Sequence, residues 1–321
     1  MRHNSVLFTG YVLATPKIIK NENGELKAAM TKIKTMRGKR RYGLYENVRY
    51  DSPLIRSLNP EIIEKMELWE KGDLVEIKAS LVTQLITKNS KCPHCGKING
   101  EKGIVCYFNP IHVSIKEKGL DPEIAKERLK DYSEVSNQIT IMGVVAKDIK
   151  TYAIKGRLPV TTYPLAVRRK YHIYEDDPDK KVDFPRIKSF GAIANSDRAN
   201  IKKGTFMAVD GWVQTREINR TSICSNCNQE YEWHDQAVEI VPYASEYLRD
   251  FITEEEKKEI ALKEAKKAEK RIYGHSDIDD NEDDIVTLTN EENEMINKQF
   301  EQSDNFGIPV KSVDELLNGN T

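Results

Sequence analysis

Four of the five cysteines lie in two short pairs, Cys92-Pro-His-Cys95 and Cys224-Ser-Asn-Cys227. Two thiolates separated by two residues can converge on one metal ion, and structural zinc takes four such ligands in a tetrahedron. Five cysteines in 321 residues are too few for a disulfide scaffold, so the pairs favour metal over disulfides. Four thiolates leave no open position for water, which makes the expected site structural and not catalytic.

Three arrangements of these cysteines remain open. The expected one is a single zinc site formed by Cys92, Cys95, Cys224 and Cys227, because it fills four positions with no stray ligand. In the second, each pair has its own ion, with Cys106 and either His94 or His112 completing the first site and His234 belonging to the other. In the third, the thiols are reduced and bind no metal.

Two segments interleave basic and aromatic side chains, at residues 36–50 (MRGKRRYGLYENVRY) and 166–174 (AVRRKYHIY). Guanidinium groups neutralise phosphates, and aromatic rings stack on unpaired bases whatever their sequence. The candidate nucleic-acid-binding residues are Arg37, Arg40, Arg41, Tyr42, Tyr45 and Arg49 in the first segment, Arg168, Arg169 and Tyr171 in the second, and Arg216 and Arg220 beyond it. The alternative is that both segments are solvated hairpins whose tyrosines pack on the protein.

An internal repeat organises the chain. Residues 71–95 align with 203–227 at an offset of 132 without a gap, which superposes the two cysteine pairs, and an offset of 133 takes Gly10 to Gly143. Such self-similarity predicts two copies of one fold. Apolar residues alternate with period two, which indicates strands, and Asn59-Pro60 begins a short helix. The order of three strands, helix, strand, cysteine loop and strand is that of the five-stranded OB-fold barrel.

The fold class is therefore predicted to be all-β dominated, with two tandem OB-fold barrels that carry CxxC zinc-knuckle loops, followed by a helix and an acidic tail. The expected division is a first barrel at 1–116, a linker at 117–136, a second barrel at 137–250, a charged helix at 251–273 and a disordered acidic tail at 274–321. Residues 1–252 hold 41 basic and 32 acidic residues, whereas the rest holds 9 and 19. A basic body thus precedes an acidic tail, which we expect to compete with polyanions for the body.

The second copy resembles the bacterial and phage single-stranded DNA-binding protein family over residues 137–217. The resemblance rests on NQITIMGVV, on YPLAVRRKY and on the run DFPRIKSFGAIANSDRANIKKGTFMAVDGWVQTRE. It implies an OB-fold groove that coats single-stranded DNA, with Tyr171 and Phe190 stacking on bases. The acidic tail is then expected to contact replication proteins.

The predicted function is sequence-nonspecific binding and protection of single-stranded DNA in replication or recombination. Two alternatives remain: a zinc-stabilised accessory factor of a polymerase or replisome, and an RNA-binding protein. Motifs of phosphate-cradling, metalloprotease or hydrolase sites are missing from the sequence, so an enzyme is not expected. We expect a cytoplasmic protein of a bacterial cell, phage- or plasmid-encoded, without membrane association; the oligomeric state stays open.

Overall fold

The computed structural model describes residues 3–38, 49–153, 158–174, 180–273 and 311–312. Its first half contains seven strands and one helix before residue 118. They are β1 (His3–Val12), β2 (Lys17–Lys20), β3 (Leu26–Met36), β4 (Tyr50–Asp51), β5 (Leu54–Ser57), α1 (Pro60–Glu67), β6 (Leu74–Lys91) and β7 (Ile98–Glu117).

Five of these strands close a barrel, which we call barrel one. β1 pairs with β3, β3 with β5, β5 in parallel with β7, β7 with β6, and β6 again with β1. The short strands β2 and β4 extend β3. This ring order, with a helix between the third and fourth barrel strands, is the OB-fold, and it confirms the predicted fold class.

The second half repeats the same ring as barrel two. After the connecting helix α2 (Pro122–Asp131) come β8 (Asn137–Val145), β9 (Lys150–Tyr152), β10 (Val160–Arg168), β11 (Val182–Asp183), β12 (Arg186–Phe190), α3 (Gly191–Asn200), β13 (Phe206–Ile223) and β14 (Glu230–Arg249). β8 pairs with β10 and β13, β10 with β12, β12 in parallel with β14, and β14 with β13. The exact division of the chain into domains stays a prediction.

Glycines at matching positions allow the first strand of each barrel to bond on both sides. Gly10 pairs with Thr35 of β3 and with Val75 of β6. A Cβ atom on Gly10 would lie 2.6 Å from the carbonyl oxygen of Lys34, and one on Gly143 would lie 2.5 Å from that of Ala166. Real Cβ atoms do not approach a carbonyl so closely, so a side chain at either position would push the barrel strands apart.

The helices follow from their sequence signals. Asn59 caps α1 by accepting a hydrogen bond from the backbone N–H of Glu61, and Pro60 occupies the first turn, as predicted. In α2, Ala125 and Leu129 are buried against barrel one, so the predicted linker is partly packed. A charged helix, α4 (Glu254–Tyr273), follows barrel two, and β15 (Lys311–Ser312) pairs in parallel with β6. None of the helices described here has the length and apolar character needed to cross a membrane.

The two barrels join edge to edge through their first strands. β1 and β8 are antiparallel, and Val6 of the first copy lies opposite Ile139 of the second. These two residues are 133 positions apart, the offset of the repeat in this region. An approximate twofold axis therefore passes through this pair and relates the two barrels.

A reciprocal set of hydrogen bonds locks the barrels in this orientation. Asp51 of barrel one accepts a bond from the backbone N–H of Thr215 at 2.7 Å and a bidentate pair from Arg37 at 2.6 and 2.9 Å. Asp183 of barrel two accepts from the backbone N–H of Thr83 at 2.8 Å and from Arg169 at 2.6 and 3.0 Å. Each member of one set lies 132 residues from its counterpart in the other.

Both carboxylates are completely buried, so each depends on its arginine for charge neutralisation. The structure thus uses Arg37 and Arg169 to hold the barrels together. Their guanidinium forks are already occupied by carboxylates, and their predicted contact with nucleic acid stays a prediction.

We expect Asp183→Asn to destabilise the protein by about 3 kcal/mol, because it leaves the Arg169 charge buried without its partner. Urea denaturation monitored by circular dichroism measures the change. Asp131→Asn, at an exposed aspartate at the end of α2, is the matched control and should shift stability by less than about 0.5 kcal/mol. Equal stabilities of the two variants would contradict the role of the interlock.

Candidate nucleic-acid interface and metal centre

Two long hairpins, β6–β7 and β13–β14, carry the cysteine pairs at their tips. In the first turn the backbone N–H of Cys92 donates to Lys97, and Gly96 adopts a left-handed φ of 74°. In the second, Cys224 donates to Gln229, and Asn228 has a φ of 54°. Glycine and asparagine are the residues that best tolerate this conformation. The two turns are therefore built alike, as the repeat predicts.

The hairpin tips meet and bring four sulfur atoms together. Those of Cys92, Cys95, Cys224 and Cys227, hereafter the cysteine cluster, lie within 4.8 Å of one another. The Sγ atoms of Cys92 and Cys227 are 3.8 Å apart, and those of Cys95 and Cys224 are 3.5 Å apart. A zinc ion with bonds of about 2.3 Å to four sulfurs in a tetrahedron would place them about 3.8 Å apart. The donor set and its spacing therefore fit a tetrathiolate metal site.

The thiols of the cluster differ in acidity. Backbone N–H groups of Cys227 and Asn226 point to the sulfur of Cys224 and lower its pKa to about 6. The backbone N–H of Gln229 favours the thiolate of Cys227, but burial and the neighbouring cysteines together raise its pKa to about 12. Four sulfurs this close cannot all ionise without a compensating cation.

Among the other candidate ligands, His94 is exposed within the first turn and does not join the converging sulfurs, and the rest lie elsewhere. Cys106 is opposite Thr83 on the β6–β7 ladder. Nine residues separate Thr83 from Cys92 along β6, which corresponds to about 30 Å of strand. His112 is opposite Lys78, still further from the tip, and His234 contacts Asn219 through a 2.8 Å hydrogen bond. The geometry thus favours the shared arrangement over two separate ions.

Polar contacts below the tips also join the hairpins. The hydroxyl group of Tyr231 lies 2.7 Å from that of Ser90 and accepts a bond from the amide of Asn99 at 3.0 Å. Further from the tips, the carboxylate of Asp235 forms salt bridges with Lys88 of the other hairpin at 2.5 Å and with Arg220 of its own hairpin at 2.6 Å. Both salt bridges are largely shielded from solvent, so the two hairpins form one unit.

The outer side of barrel two combines aromatic and basic residues. Directly opposed residues of antiparallel strands share a side of the sheet. Thr162 of β10 is opposite both Lys150 and Lys188, Val160 is opposite both Tyr152 and Phe190, and Pro164 is opposite Arg186. We call this surface the barrel-two face, formed by Lys150, Tyr152, Arg186, Lys188 and Phe190. It places the ammonium group of Lys188 5.9 Å from the centre of the Phe190 ring.

A buried glutamate organises the cations beside this face. Glu239 of β14 lies 3.2 Å from Lys188 and 3.0 Å from Arg216. Burial alone would raise the pKa of Glu239, but Lys188 and Arg216 outweigh it and hold this pKa below its ordinary value of 4.5. Burial lowers the pKa of Lys188, and the nearby Arg216 and Arg186 add to this effect while Glu239 opposes it.

The second half of the chain is similar in sequence to known proteins. The family model described as single-strand binding protein family matches residues 136–240. This match covers barrel two from β8 into β14. A single-stranded DNA-binding protein of Caldanaerobacter subterraneus subsp. tengcongensis is 33% identical over 86 residues, which are 27% of this chain and 56% of the relative. One from Thermotoga maritima is 33% identical over 81 residues, or 25% of this chain and 57% of the relative.

The chain thus spans little more than half the length of these relatives. A solved structure, the wild-type single-stranded DNA binding protein from Thermus aquaticus, matches with a TM-score of 0.52 and 15% identity, over 78% of this chain and 95% of that one. At this level of sequence identity the likeness shows the fold alone. The 78% of this chain that is covered includes both barrels.

Barrel two brings some of the predicted residues to its surface. Arg168 is exposed at the end of β10, and the ring of Tyr171 lies 5.3 Å from the ammonium group of Lys170 and 5.9 Å from that of Lys78 of barrel one. Phe190 lies on the barrel-two face. Arg216 and Arg220 are present but bound to Glu239 and Asp235.

In barrel one, Arg49 is exposed. Four further predicted residues, Arg40, Arg41, Tyr42 and Tyr45, lie outside the described part of the chain, as does most of the acidic tail.

Sequence reasoning missed the basic part of the barrel-two face. Arg186, Lys188 and Phe190 alternate in the stretch RIKSF, which is the period-two signal of an exposed strand side. This alternation can be read from the sequence. The positions of Lys150 and Tyr152 on the face cannot, because they depend on the pairing of the short strand β9 with β10.

The Glu239 ion pairs should stabilise the protein in a pH-dependent way. A carboxylate whose pKa is lowered by folding contributes stability above its unfolded pKa, and this stability is lost as the pH falls through the folded pKa. We expect Glu239→Gln to cost about 2 kcal/mol at pH 7, and the difference from the parent protein to shrink as the pH falls below 4.5. Thermal unfolding across this range tests it. Glu246→Gln, an exposed control on the same strand, should show no such trend.

Proposed function

We propose that this protein binds single-stranded DNA without sequence preference and protects it during replication or recombination. The observation that carries the proposal is the barrel-two face, where Lys188 and Phe190 lie side by side in a domain of the single-strand binding protein family. Two relatives of this domain are named single-stranded DNA-binding proteins. We therefore assign the protein a binding role, in which its aromatic rings and cationic side chains contact an unpaired strand in place of water.

The face supplies both of the interactions that an unpaired strand needs. Phe190 on the face, and Tyr171 beyond the end of β10, present flat rings to bases, each within about 6 Å of a lysine ammonium group. Lys150 and Arg186 on the face, and Arg168 at the end of β10, provide positive charge for phosphates. Because every base has a flat surface and every nucleotide a phosphate, this arrangement selects unpaired strands without reading their sequence.

Replacing Phe190 with alanine should weaken binding to oligothymidylate by about 5- to 100-fold, since one stacked base contributes about 1 to 3 kcal/mol. Fluorescence anisotropy with a labelled oligomer at fixed salt measures the affinity. Phe251→Ala removes an exposed phenylalanine just beyond β14 and should leave the affinity unchanged.

Duplex DNA and an RNA oligomer of matching sequence complete this experiment. Equal or stronger binding of either would contradict the proposed preference for single-stranded DNA. Failure of the parent protein to bind the DNA oligomer at low salt would refute the function itself.

We further propose that the cysteine cluster holds one zinc ion. The support is the convergence of four sulfurs at tetrahedral spacing from two turns of the same construction. Bound zinc supplies charge compensation for the thiolates and a cross-link between the hairpin tips. Cys92 and Cys224 anchor the site from buried positions, whereas Cys95 reaches it from the exposed side.

Metal analysis of protein purified without chelator should find a single equivalent of zinc per chain. Its removal should lower the thermal midpoint by at least about 5 °C, because each kcal/mol of stability corresponds to about 2 to 4 °C in a protein of this size. Cys95→Ser should reduce zinc retention, and Cys106→Ser, outside the cluster, should retain the full equivalent. Two equivalents of zinc, or none, would contradict the shared site.

A further inference from the structure

A cavity of about 390 Å³ lies where barrel two meets the two hairpins. Barrel two lines it with Thr162, Tyr163 and Pro164 of β10 and with residues 184–186. The β6–β7 hairpin of barrel one adds residues from Thr83 to Lys88 and from Lys102 to Cys106, and β13–β14 adds Arg220 and residues 236–239. The volume falls within the range of specific ligand sites, about 300 to 1,000 Å³.

The lining of this cavity is strongly basic. Seven of the lining residues are lysines or arginines, and only Asp148 and Glu239 carry carboxylates. Glu239 is already neutralised by Lys188 and Arg216, and the lining cations Lys88 and Arg220 are in turn paired with Asp235. A concave site with such an excess of positive charge attracts polyanions, and phosphates above all.

The cavity continues the barrel-two face. Lys150 and Arg186 belong to that face and also line the cavity. Lys188, two residues after Arg186 on β12, lies on the same side of the sheet. A strand whose bases stack at Phe190 therefore has cations along a continuous path from the face into the cavity.

The corresponding side of barrel one is built differently. By the repeat, Leu54 and Arg56 correspond to Arg186 and Lys188. Arg56 is 3% exposed and contacts Tyr107 through a 3.2 Å hydrogen bond, with its guanidinium carbon 5.1 Å from the centre of the ring. Ile173 of barrel two packs against this same Tyr107. Barrel one thus has its face covered, while its hairpin reaches the cavity of barrel two.

We propose that the cavity is a phosphate-binding channel for the DNA strand that leaves the barrel-two face, and that barrel one contributes to the DNA site through its β6–β7 hairpin instead of its own face. This inference rests on the proposed function. It assigns Lys102 of barrel one and Lys203 of barrel two to phosphate contacts; both are exposed and line the cavity. The cysteine cluster, by joining the hairpin tips, fixes the width of this channel.

The test is a full-length variant with Lys102→Gln and Lys203→Gln, bound to an oligothymidylate of about 16 nucleotides, near the upper site size of one OB-fold. The loss of two phosphate contacts should reduce the salt slope, log affinity against log salt, by about 1.4. At about 0.1 M salt the same slope corresponds to a loss of affinity of about tenfold or more. Lys27→Gln, an exposed lysine on β3 away from the cavity, should change neither quantity.

Lysine acetylation in the parent protein gives an independent readout. Bound oligomer should protect Lys102 and Lys203 from acetylation and leave Lys27 reactive. If Phe190→Ala weakens binding while the lysine variant keeps the parent slope and Lys102 stays reactive, the channel is refuted and the proposed function survives. Equal protection by thymidine monophosphate alone would overturn the assignment to a strand, because the occupant would then be a free nucleotide. An absence of any oligomer binding would instead refute the proposed function.

Discussion

The relative placement of the two barrels depends on two buried carboxylates that reach across the boundary between them. Asp51 and Asp183 each bond to a backbone N–H of the other barrel, and each is neutralised by an arginine of its own barrel. A buried carboxylate needs all of its donors in place, and other orientations of the barrels would remove the backbone N–H donor that the opposite barrel supplies. The antiparallel pairing of β1 with β8 sets the axis, and the carboxylates set the rotation about it. Both long hairpins then emerge on one side, which is the condition for their tips to meet.

The sequence predicted the parts of the fold that local patterns determine. The offset of 132, the alternation of the strands and the signals at Asn59 and Pro60 led to two OB-folds, and the matched cysteine pairs led to one cluster. The sequence did not reveal the structural role of Arg37 and Arg169, because an arginine inside a basic and aromatic run looks the same whether its partner is a phosphate or an aspartate fourteen residues later. One signal was overlooked. Arginine, aspartate and threonine recur at the same offset in both copies, and such a repeated polar set is more typical of a shared structural role than of an open surface.

Divergence between the copies is as informative as their symmetry. The interlock and the cysteine turns are alike in both halves, whereas Leu54 is apolar and Arg56 is buried where Arg186 and the ion-paired Lys188 are partly exposed cations. A covered face contributes packing, through Ile173 and Tyr107, and an open one keeps charge in contact with solvent. The same surface cannot both pack against the other barrel and keep its charge in contact with solvent, because a lysine that binds phosphate must not be desolvated by the neighbouring barrel. Barrel one uses this surface for packing, whereas barrel two keeps its own surface partly open. The symmetry is retained at the interlock and the cysteine turns.

The length of the hairpins supports the proposed metal site at their tips. Each has eighteen paired positions, far longer than the barrels require, and a two-stranded ribbon extending from a barrel is only marginally stable by itself. The salt bridges of Asp235 and the contacts of Tyr231 hold the ribbons together along their length, but single contacts of this kind contribute little. Beyond them the tips contain few apolar residues to bury. Coordination bonds can hold such tips where packing cannot, and they do so at the end farthest from the barrels, where a small change in angle produces the largest displacement. With the proposed metal bound, the cysteines hold the hairpin tips beyond the salt bridge between Lys88 and Asp235 and so help to fix the width of the cavity, although none of the four lines it.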